Sequence, residues 1–486
     1  MEDQTTRPTV SVQLVFSKSF YGKGKLGKLS DDASIHRRLK FHILFWRHSE
    51  RIDIGEAVFI ERKPLLIIIR SLWKDWCLLM MNEVFGKHDP YLQVGRLSLK
   101  GIVFGVGSYA RIGAEMKQLI GRDQMKTLLV TDEGIEKAGT AEKVRQVIKD
   151  SKIMVETFSE TEPEPTFRCL RKITEVVRSG KFDAIIGLGG GSSMDVAKTA
   201  SIMATNPGDV ADYYQFMEDK VKIKPLPKVM ISTTSGTGSE VSFGAVATDD
   251  NGFKNFINSP FNQADISIVD PLMSVTCPPR LTAGCGMDAL AHLVETYVNF
   301  AATPLTDAFA LHGIRLVAEN LRESVYSGNN LTSRYNMAIA STLGGLCTSI
   351  VPVNIGHCIS EGIGPVYKIS HGVANALALP HQMRYNLPAI AGRIAALAPH
   401  LGVRCPPDMS TREIAEKSIE ATKQLVLDVG LPIALKDVNI PREEIPRIVD
   451  RIMKLHDPYN LAYYNPLKIT PKNLTELVTN MWEGNV

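Results

Sequence analysis

The sequence predicts a two-part chain: a parallel α/β sheet with helices on both faces, followed by an all-helical half. Three observations predict it. Between residues 97 and 278, short apolar runs alternate with stretches of helical spacing, as in strands joined by crossover helices. Two segments rich in glycine and hydroxyl residues, 187–198 and 232–240, each follow an apolar run. Beyond Asp270-Pro271 and Pro278-Pro279 the pattern becomes helical and stays so.

The chain has 486 residues, 44% hydrophobic and 22% charged, enough for two or more domains with sizeable cores. A net charge of +3 implies no strong pull toward nucleic acid or anionic lipid. Seven cysteines, an odd number with no C-x-x-C pair, argue against a disulfide framework or zinc-thiolate site and for a reducing compartment.

Residues 1–96 hold 16 Lys/Arg and 11 Asp/Glu, a net of +5, against −2 for the rest. They show no consistent periodicity and no motif with assignable chemistry. An extension, a partner-binding arm or a misassigned gene start all fit. Residues 64–81 come nearest to a membrane segment, but Arg70, Lys74 and Asp75 interrupt them. Charges there disfavour insertion in lipid, so a buried or interfacial segment is expected. Met1-Glu2-Asp3 opens acidic and polar with no apolar run behind it, so no secretory signal is expected.

From residue 97 the elements follow in order. Gly101-Ile-Val-Phe104 begins an apolar run broken by glycines, and 109–120 has helical spacing. Lys126-Thr-Leu-Leu-Val-Thr-Asp132 reads as a buried strand ending in a carboxylate. A helix is expected at 142–150, a strand at 153–158, a helix at 166–179 and a buried strand at 183–188. The helical half should carry helices at 283–300, 304–320, 333–349 and 374–385, with more toward the C-terminus. The boundaries expected are an extension at 1–96, an α/β domain at 97–278 and an all-helical domain at 279–486.

Gly187-Leu-Gly-Gly-Gly-Ser-Ser-Met-Asp-Val-Ala-Lys198 joins a strand to a helix. Glycines let a ligand approach the backbone, and the helix N-terminus offers free N–H groups to a pyrophosphate. The segment is neither a P-loop nor G-x-G-x-x-G, since the third glycine position falls on Ser192. A purely structural glycine turn is the alternative. Ser232-Thr-Thr-Ser-Gly-Thr-Gly-Ser-Glu240 could complete the same site, because ligands of open α/β sheets sit at the carboxyl ends of strands. Asp132 could bind a ribose hydroxyl and repel a 2′-phosphate, favouring NAD over NADP, or could simply cap a helix.

Asp288 and His292 lie four apart in a helical stretch and so share a face. His357 and His371 follow, each beside a glycine. One carboxylate and three imidazoles suit Fe²⁺ or Zn²⁺. Taken singly, a histidine is more often a surface or core residue, and the chain has 11.

In order and spacing these segments resemble the iron-containing (group III) alcohol dehydrogenase family. The motifs that carry the resemblance are Phe104-Gly-Val-Gly107, Val130-Thr-Asp132, Glu162-Pro-Glu-Pro-Thr166, Gly189-Gly-Gly-Ser192 with Asp195 and Lys198, and Thr233-Thr-Ser-Gly-Thr-Gly-Ser-Glu240. Asp270-Pro271, Gly286-Met-Asp-Ala-Leu-Ala-His292, His371-Gly-Val-Ala-Asn-Ala376 and Leu379-Pro-His381 continue it, over roughly residues 97–486.

The resemblance implies an α/β dinucleotide-binding domain and an all-helical metal-binding domain, dehydroquinate-synthase-like in plan, with the active site between them. It implies metal ligands at Asp288, His292, His357 and His371. It implies cofactor contacts at Asp132, Gly190, Gly191, Ser192, Asp195, Thr233, Thr234, Thr237, Val246 and Lys254. The expected reaction is metal-assisted hydride transfer between an alcohol and its aldehyde or ketone, with NAD (NADP the alternative) and Fe²⁺ (Zn²⁺ the alternative). A homodimer in the cytoplasm is expected, a mitochondrial setting being the alternative. The partners expected are a small alcohol or carbonyl substrate, no nucleic acid and no membrane.

Two positions depart from the family. Where it often has a second histidine, four residues after the third ligand, this chain has Glu361; some members have Asn where Glu164 stands. We place Glu361 with His357 and His371 among the candidate catalytic residues, as a proton relay or a contact to a polar substrate group. A non-redox lyase of dehydroquinate-synthase type, or an inactive binding protein with the same fold, are the rival readings.

Overall fold

The computed structural model describes residues 12–15, 39–47, 50–59, 97, 100–214, 219–459 and 464–486, without the side chains of 12–59 and 456–459. The segment 64–81, read above as buried or interfacial, lies outside them. Among the described residues no helix is long and apolar enough to cross a membrane.

The chain divides into two compact units, 1–89 and 90–486. The first contains an antiparallel three-stranded sheet. Its strands are β1 (Val12–Val15), β2 (Leu39–Arg47) and β3 (Glu50–Phe59), in the order β1-β2-β3, with an irregularity between His42 and Leu44.

The second unit opens with β4 (Gly101–Phe104), then α1 (Ile112–Ile120) and β5 (Lys126–Val130). The short α2 (Glu133–Lys137) and α3 (Thr140–Asp150) lead to β6 (Met154–Phe158) and α4 (Phe167–Gly180). Next come β7 (Ala184–Gly189), α5 (Gly191–Met203) and β8 (Lys228–Ser232). A hairpin of β9 (Gly244–Thr248) and β10 (Lys254–Asn258) precedes β11 (Ile266–Val269). The main sheet is β4-β11-β8-β7-β5-β6 and all its pairs are parallel.

The central strands are apolar at their middles because both faces are covered. Leu128, Val130, Ile185 and Met230 pack on one face with Leu170, Ile173 and Ala200 of α4 and α5. Leu129, Ile186, Leu188, Val229 and Ile231 pack on the other with Ile112, Met116, Val144 and Ile148 of α1 and α3. Each such side chain contributes about 1.5–3 kcal/mol by leaving water. The pattern reading leaves out the β9–β10 hairpin, although Asp249-Asp-Asn-Gly252 is a turn signature between its strands. It also leaves out β11, which is only four residues long.

The helical half starts at Pro279, the first residue of α6 (Pro279–Val298), where proline lacks only an N–H that would be unpaired anyway. It continues with α7 (Pro304–Tyr326), α8 (Leu331–Thr348), α9 (Ile355–Tyr367) and α10 (His371–Ala395). After these come α11 (Thr411–Asp428), α12 (Ile445–Tyr459) and α13 (Pro471–Glu483). Every residue of α6 from Met287 to Val298 is buried, since α7, α8 and α10 surround it. A helix with no solvent face is the least expected place for Asp288, His292 and Glu295 unless they serve one another.

Candidate functional site: two loops against a buried histidine cluster

The first glycine loop is the turn from β7 into α5. Gly190 is the N-cap, and Gly191 and Ser192 open the helix, whose first N–H groups are free for an anion. A Cβ at Gly191 would lie 2.7 Å from Thr237 Cγ2, and one at Gly190 3.3 Å from Thr234 Oγ1. The two loops therefore meet with no room for side chains between them. Thr233 anchors the second loop by donating its backbone N–H to the Gly189 carbonyl at 2.9 Å.

The polar residues beside these loops are largely engaged within the protein. Asp195 Oδ1 accepts from Ser239 Oγ at 2.6 Å, and its Oδ2 accepts from the Val246 N–H at 3.0 Å. Lys198 is fully buried and donates to Ser239 Oγ and the Gly244 carbonyl, each at 2.7 Å. These two residues tie α5 to the second loop and to β9. Asp132 caps α2 through the Ile135 N–H at 3.1 Å and also accepts from Ser193 Oγ at 2.9 Å. The capping role weighed for it is thus realised, at a carboxylate half-exposed beside the first turn of α5. Ser192 Oγ accepts the Glu164 N–H at 3.2 Å. Glu164 has φ +52°, a left-handed conformation that asparagine adopts more readily.

The second loop also grips the helical half. Gly238 donates its N–H to Ser341 Oγ at 3.2 Å, and Glu240 accepts from Thr342 Oγ1 at 2.8 Å. A Cβ at Gly238 would lie 2.6 Å from Gly345, so loop and α8 touch backbone to backbone.

Directly beyond lies the histidine cluster. Ligand atoms of Asp288, His357 and His371 all fall within 4.8 Å of one another. The glycines beside the two histidines explain how. A Cβ at Gly356 would be 2.3 Å from Glu295 Oε1, and one at Gly372 2.3 Å from the Gly284 carbonyl. Both glycines are where α9 and α10 press against α6. His292, the fourth predicted ligand, stands beside this group rather than converging with it. Its ring stacks on His357 with centroids 4.7 Å apart, and its Nδ1 lies 4.0 Å from Asp288 Oδ2. That Nδ1 is buried with no hydrogen-bond partner.

Three further residues, to which the motifs assigned no role, complete the cluster. Asn375 Nδ2 lies 2.6 Å from Asp288 Oδ1, 3.1 Å from His357 Nε2 and 3.2 Å from His371 Nε2. Three acceptors thus aim at one donor, an arrangement that also suits a cation. Glu295 Oε1 lies 2.9 Å from His357 Nδ1, and Ser360 Oγ 3.2 Å from His371 Nδ1. The helical period gives a clue to two of them: Glu295 is seven after Asp288, and Asn375 is four after His371.

Electrostatics follow from burial and neighbours. Burial alone would push the Asp288 carboxyl up, but the three imidazoles and Asn375 outweigh it and hold it below the ordinary value. Burial, helped by Lys254, drives His371 well below the usual imidazole range. Burial also lowers His292. At His357 burial is outweighed by Glu295, and the pKa is raised. Two neutral imidazoles beside a carboxylate are the state a divalent ion requires. The donor set of one carboxylate and three imidazoles, with an orphaned ring nitrogen, fits Fe²⁺ or Zn²⁺.

Lys254 joins the two sides. Its Nζ is 3.5 Å from His371 Nδ1 and 3.8 Å from Glu164 Oε2. Glu361 is buried one turn beyond His357. Burial raises its pKa, with Lys254 and His357 opposing the shift.

Residues 100–271 match the family model for iron-containing alcohol dehydrogenases, and residues 282–482 match the C-terminal model of the same family. The chain is 37% identical to the 1,3-propanediol dehydrogenase of Klebsiella pneumoniae, over 75% of this chain and 92% of that protein. It is 34% identical to the NAD-dependent methanol dehydrogenase of Bacillus methanolicus, over 78% and 97%. The crystal structure of a 1,3-propanediol oxidoreductase superimposes with a TM-score of 0.75 at 35% identity, over 80% of this chain and all of that one. The chain belongs to the iron-containing alcohol dehydrogenase family and is an NAD-linked oxidoreductase of alcohols and their carbonyl counterparts.

Proposed function

We propose that Asp288, His292, His357 and His371 hold one divalent ion, Fe²⁺ with Zn²⁺ the alternative, and that the substrate is a small alcohol carrying a second polar group. The convergence of Asp288, His357 and His371 on one point carries the first part. A modest turn of the His292 ring would add its orphaned nitrogen. When bound, the ion polarises the substrate oxygen, and the nicotinamide takes or gives the hydride.

The chain's own residues supply position and proton handling. Gly190, Gly191 and Ser192 offer backbone N–H groups to the pyrophosphate, with Thr233, Thr234 and Thr237 as the wall packed beside them. Asp195 shapes that wall from behind, by holding Ser239 and Val246. Asp132 favours NAD over NADP, because its carboxylate would repel a 2′-phosphate. Lys254 and Glu361, an opposite-charge couple beside His371, serve the substrate side. Glu361 accepts the alcohol proton or binds the second polar group. Residues 97–278 act as the nucleotide side and 279–486 as the metal side of one enzyme.

The substrate part is supported by Glu361 and by the likeness to 1,3-propanediol dehydrogenase. A screen of diols against matched mono-alcohols, with NAD after Fe²⁺ or Zn²⁺ loading, tests it. Higher kcat/KM for the diols, lost in Glu361→Leu, is expected. Equal use of both classes by the wild type would remove it. A homodimer in the cytoplasm, which the family resemblance supports, is checked by sedimentation velocity and by fractionation.

A further inference from the structure

The geometry points to Glu295 as the positioning residue of the metal centre: its carboxylate fixes His357 in the tautomer that turns Nε2 toward the ion, and adds a second negative charge behind the ligand set. The inference rests on the metal reading above.

Glu295 is 1% exposed, on the helix that carries Asp288 and His292. A carboxylate this deep needs partners for both oxygens. Oε1 lies 2.9 Å from His357 Nδ1. Oε2 accepts the Asn354 N–H at 2.6 Å, with the His357 N–H at 3.5 Å. An ionised carboxylate only accepts, so Nδ1 must carry the proton. The other ring nitrogen is then left with its lone pair free, and His357 Nε2 stands 3.1 Å from Asn375 Nδ2. That lone pair points to where Asp288 and His371 converge.

The two imidazoles of the cluster are held unequally. His371 Nδ1 meets only a hydroxyl, Ser360 Oγ at 3.2 Å, and the cation of Lys254. Only His357 is backed by a carboxylate, which makes it the more basic ligand. Glu295 also holds the first turn of α9 through the Asn354 N–H, so the ring and its helix are located by one side chain.

The experiment uses the full chain and its Glu295→Gln variant, which keeps the side-chain shape and removes the charge. Zn²⁺ affinity is measured by competition with a chelator, beside NADH binding by fluorescence and Tm of the metal-free protein. We expect Zn²⁺ binding to weaken about 10–100-fold, with NADH affinity unchanged. A role confined to holding α9 would lower Tm and leave Zn²⁺ affinity as in the wild type, and that result overturns the inference. A wild-type chain that binds neither Zn²⁺ nor Fe²⁺ removes the metal reading and this one with it. Should the Gln variant not fold, the ¹⁵N spectrum of His357 in the metal-free wild type decides. At a pH where the ring is neutral, a proton on Nδ1 supports the inference, and a proton on Nε2 overturns it.

Discussion

The proposed nucleotide side and the proposed metal side of this enzyme are built from opposite materials. The first is made of backbone and missing side chains: Gly190 and Gly191 against Thr234 and Thr237, with Asp195 and Lys198 holding the wall from behind. The second is made of polar side chains on packed helices, with Asp288, Glu295 and His357 buried and His371 partly so. On the first side a substitution acts by adding atoms, on the second by removing donors. Cofactor binding and metal binding should therefore fail separately, and the predictions below use that separation.

The largest effect is expected at the ligands. Asp288→Asn or His357→Ala should lower kcat/KM by about 10³-fold or more, the scale of several kcal/mol of lost charge stabilisation. NADH affinity, followed by fluorescence, should stay within about twofold of wild type.

Glu361 comes next. Its carboxyl is raised by burial against the pull of Lys254 and His357. Below that raised pKa it is protonated and cannot accept the alcohol's proton, so alcohol oxidation should rise with pH as it ionises. Glu361→Gln should remove that limb of the pH profile and cost about 10²-fold in kcat. Unchanged turnover with an unshifted profile would show that Glu361 takes no part.

Gly191→Ala should act on the other side. The new Cβ would meet Thr237 at 2.7 Å. Overpacking of this kind costs about 1–3 kcal/mol, so the NADH dissociation constant should rise roughly tenfold. Metal content should not change, and Thr237→Ala in the same chain should restore much of the affinity. A loss of metal in Gly191→Ala would break the separation of the two sides.

The smallest effect is expected at Asp132. Asp132→Ala removes the cap of α2, worth about 1 kcal/mol of stability. It should also narrow the preference for NAD over NADP, read as the ratio of kcat/KM for the two cofactors.

The contrast also decides what could be read from the sequence. The glycine loop of the proposed nucleotide side was legible as a strand-to-helix turn because its parts are contiguous. A buried strand, glycines and a helix start occupy 184–203 without interruption. The metal side was legible only in part. Asp288 and His292 announce themselves by spacing, but His357 and His371 are joined to them by packing, through the contacts that Gly356 and Gly372 allow. Glu295 and Asn375 look like ordinary helical residues until α9 and α10 are laid on α6. The stacking of the His292 ring on His357, beside the converging group, has no sequence signature. The split into α/β and helical halves was legible from periodicity, whereas the three-stranded sheet in residues 1–89 was not.

Metal analysis after anaerobic loading with Fe²⁺ or Zn²⁺, run on the wild type and on His371→Ala with NADH binding measured on the same samples, tests the assignment of the metal site most directly. One ion per wild-type chain is expected, with loss of that ion and retention of NADH binding in the variant. An ion bound equally by both chains, or by neither, would contradict the assignment.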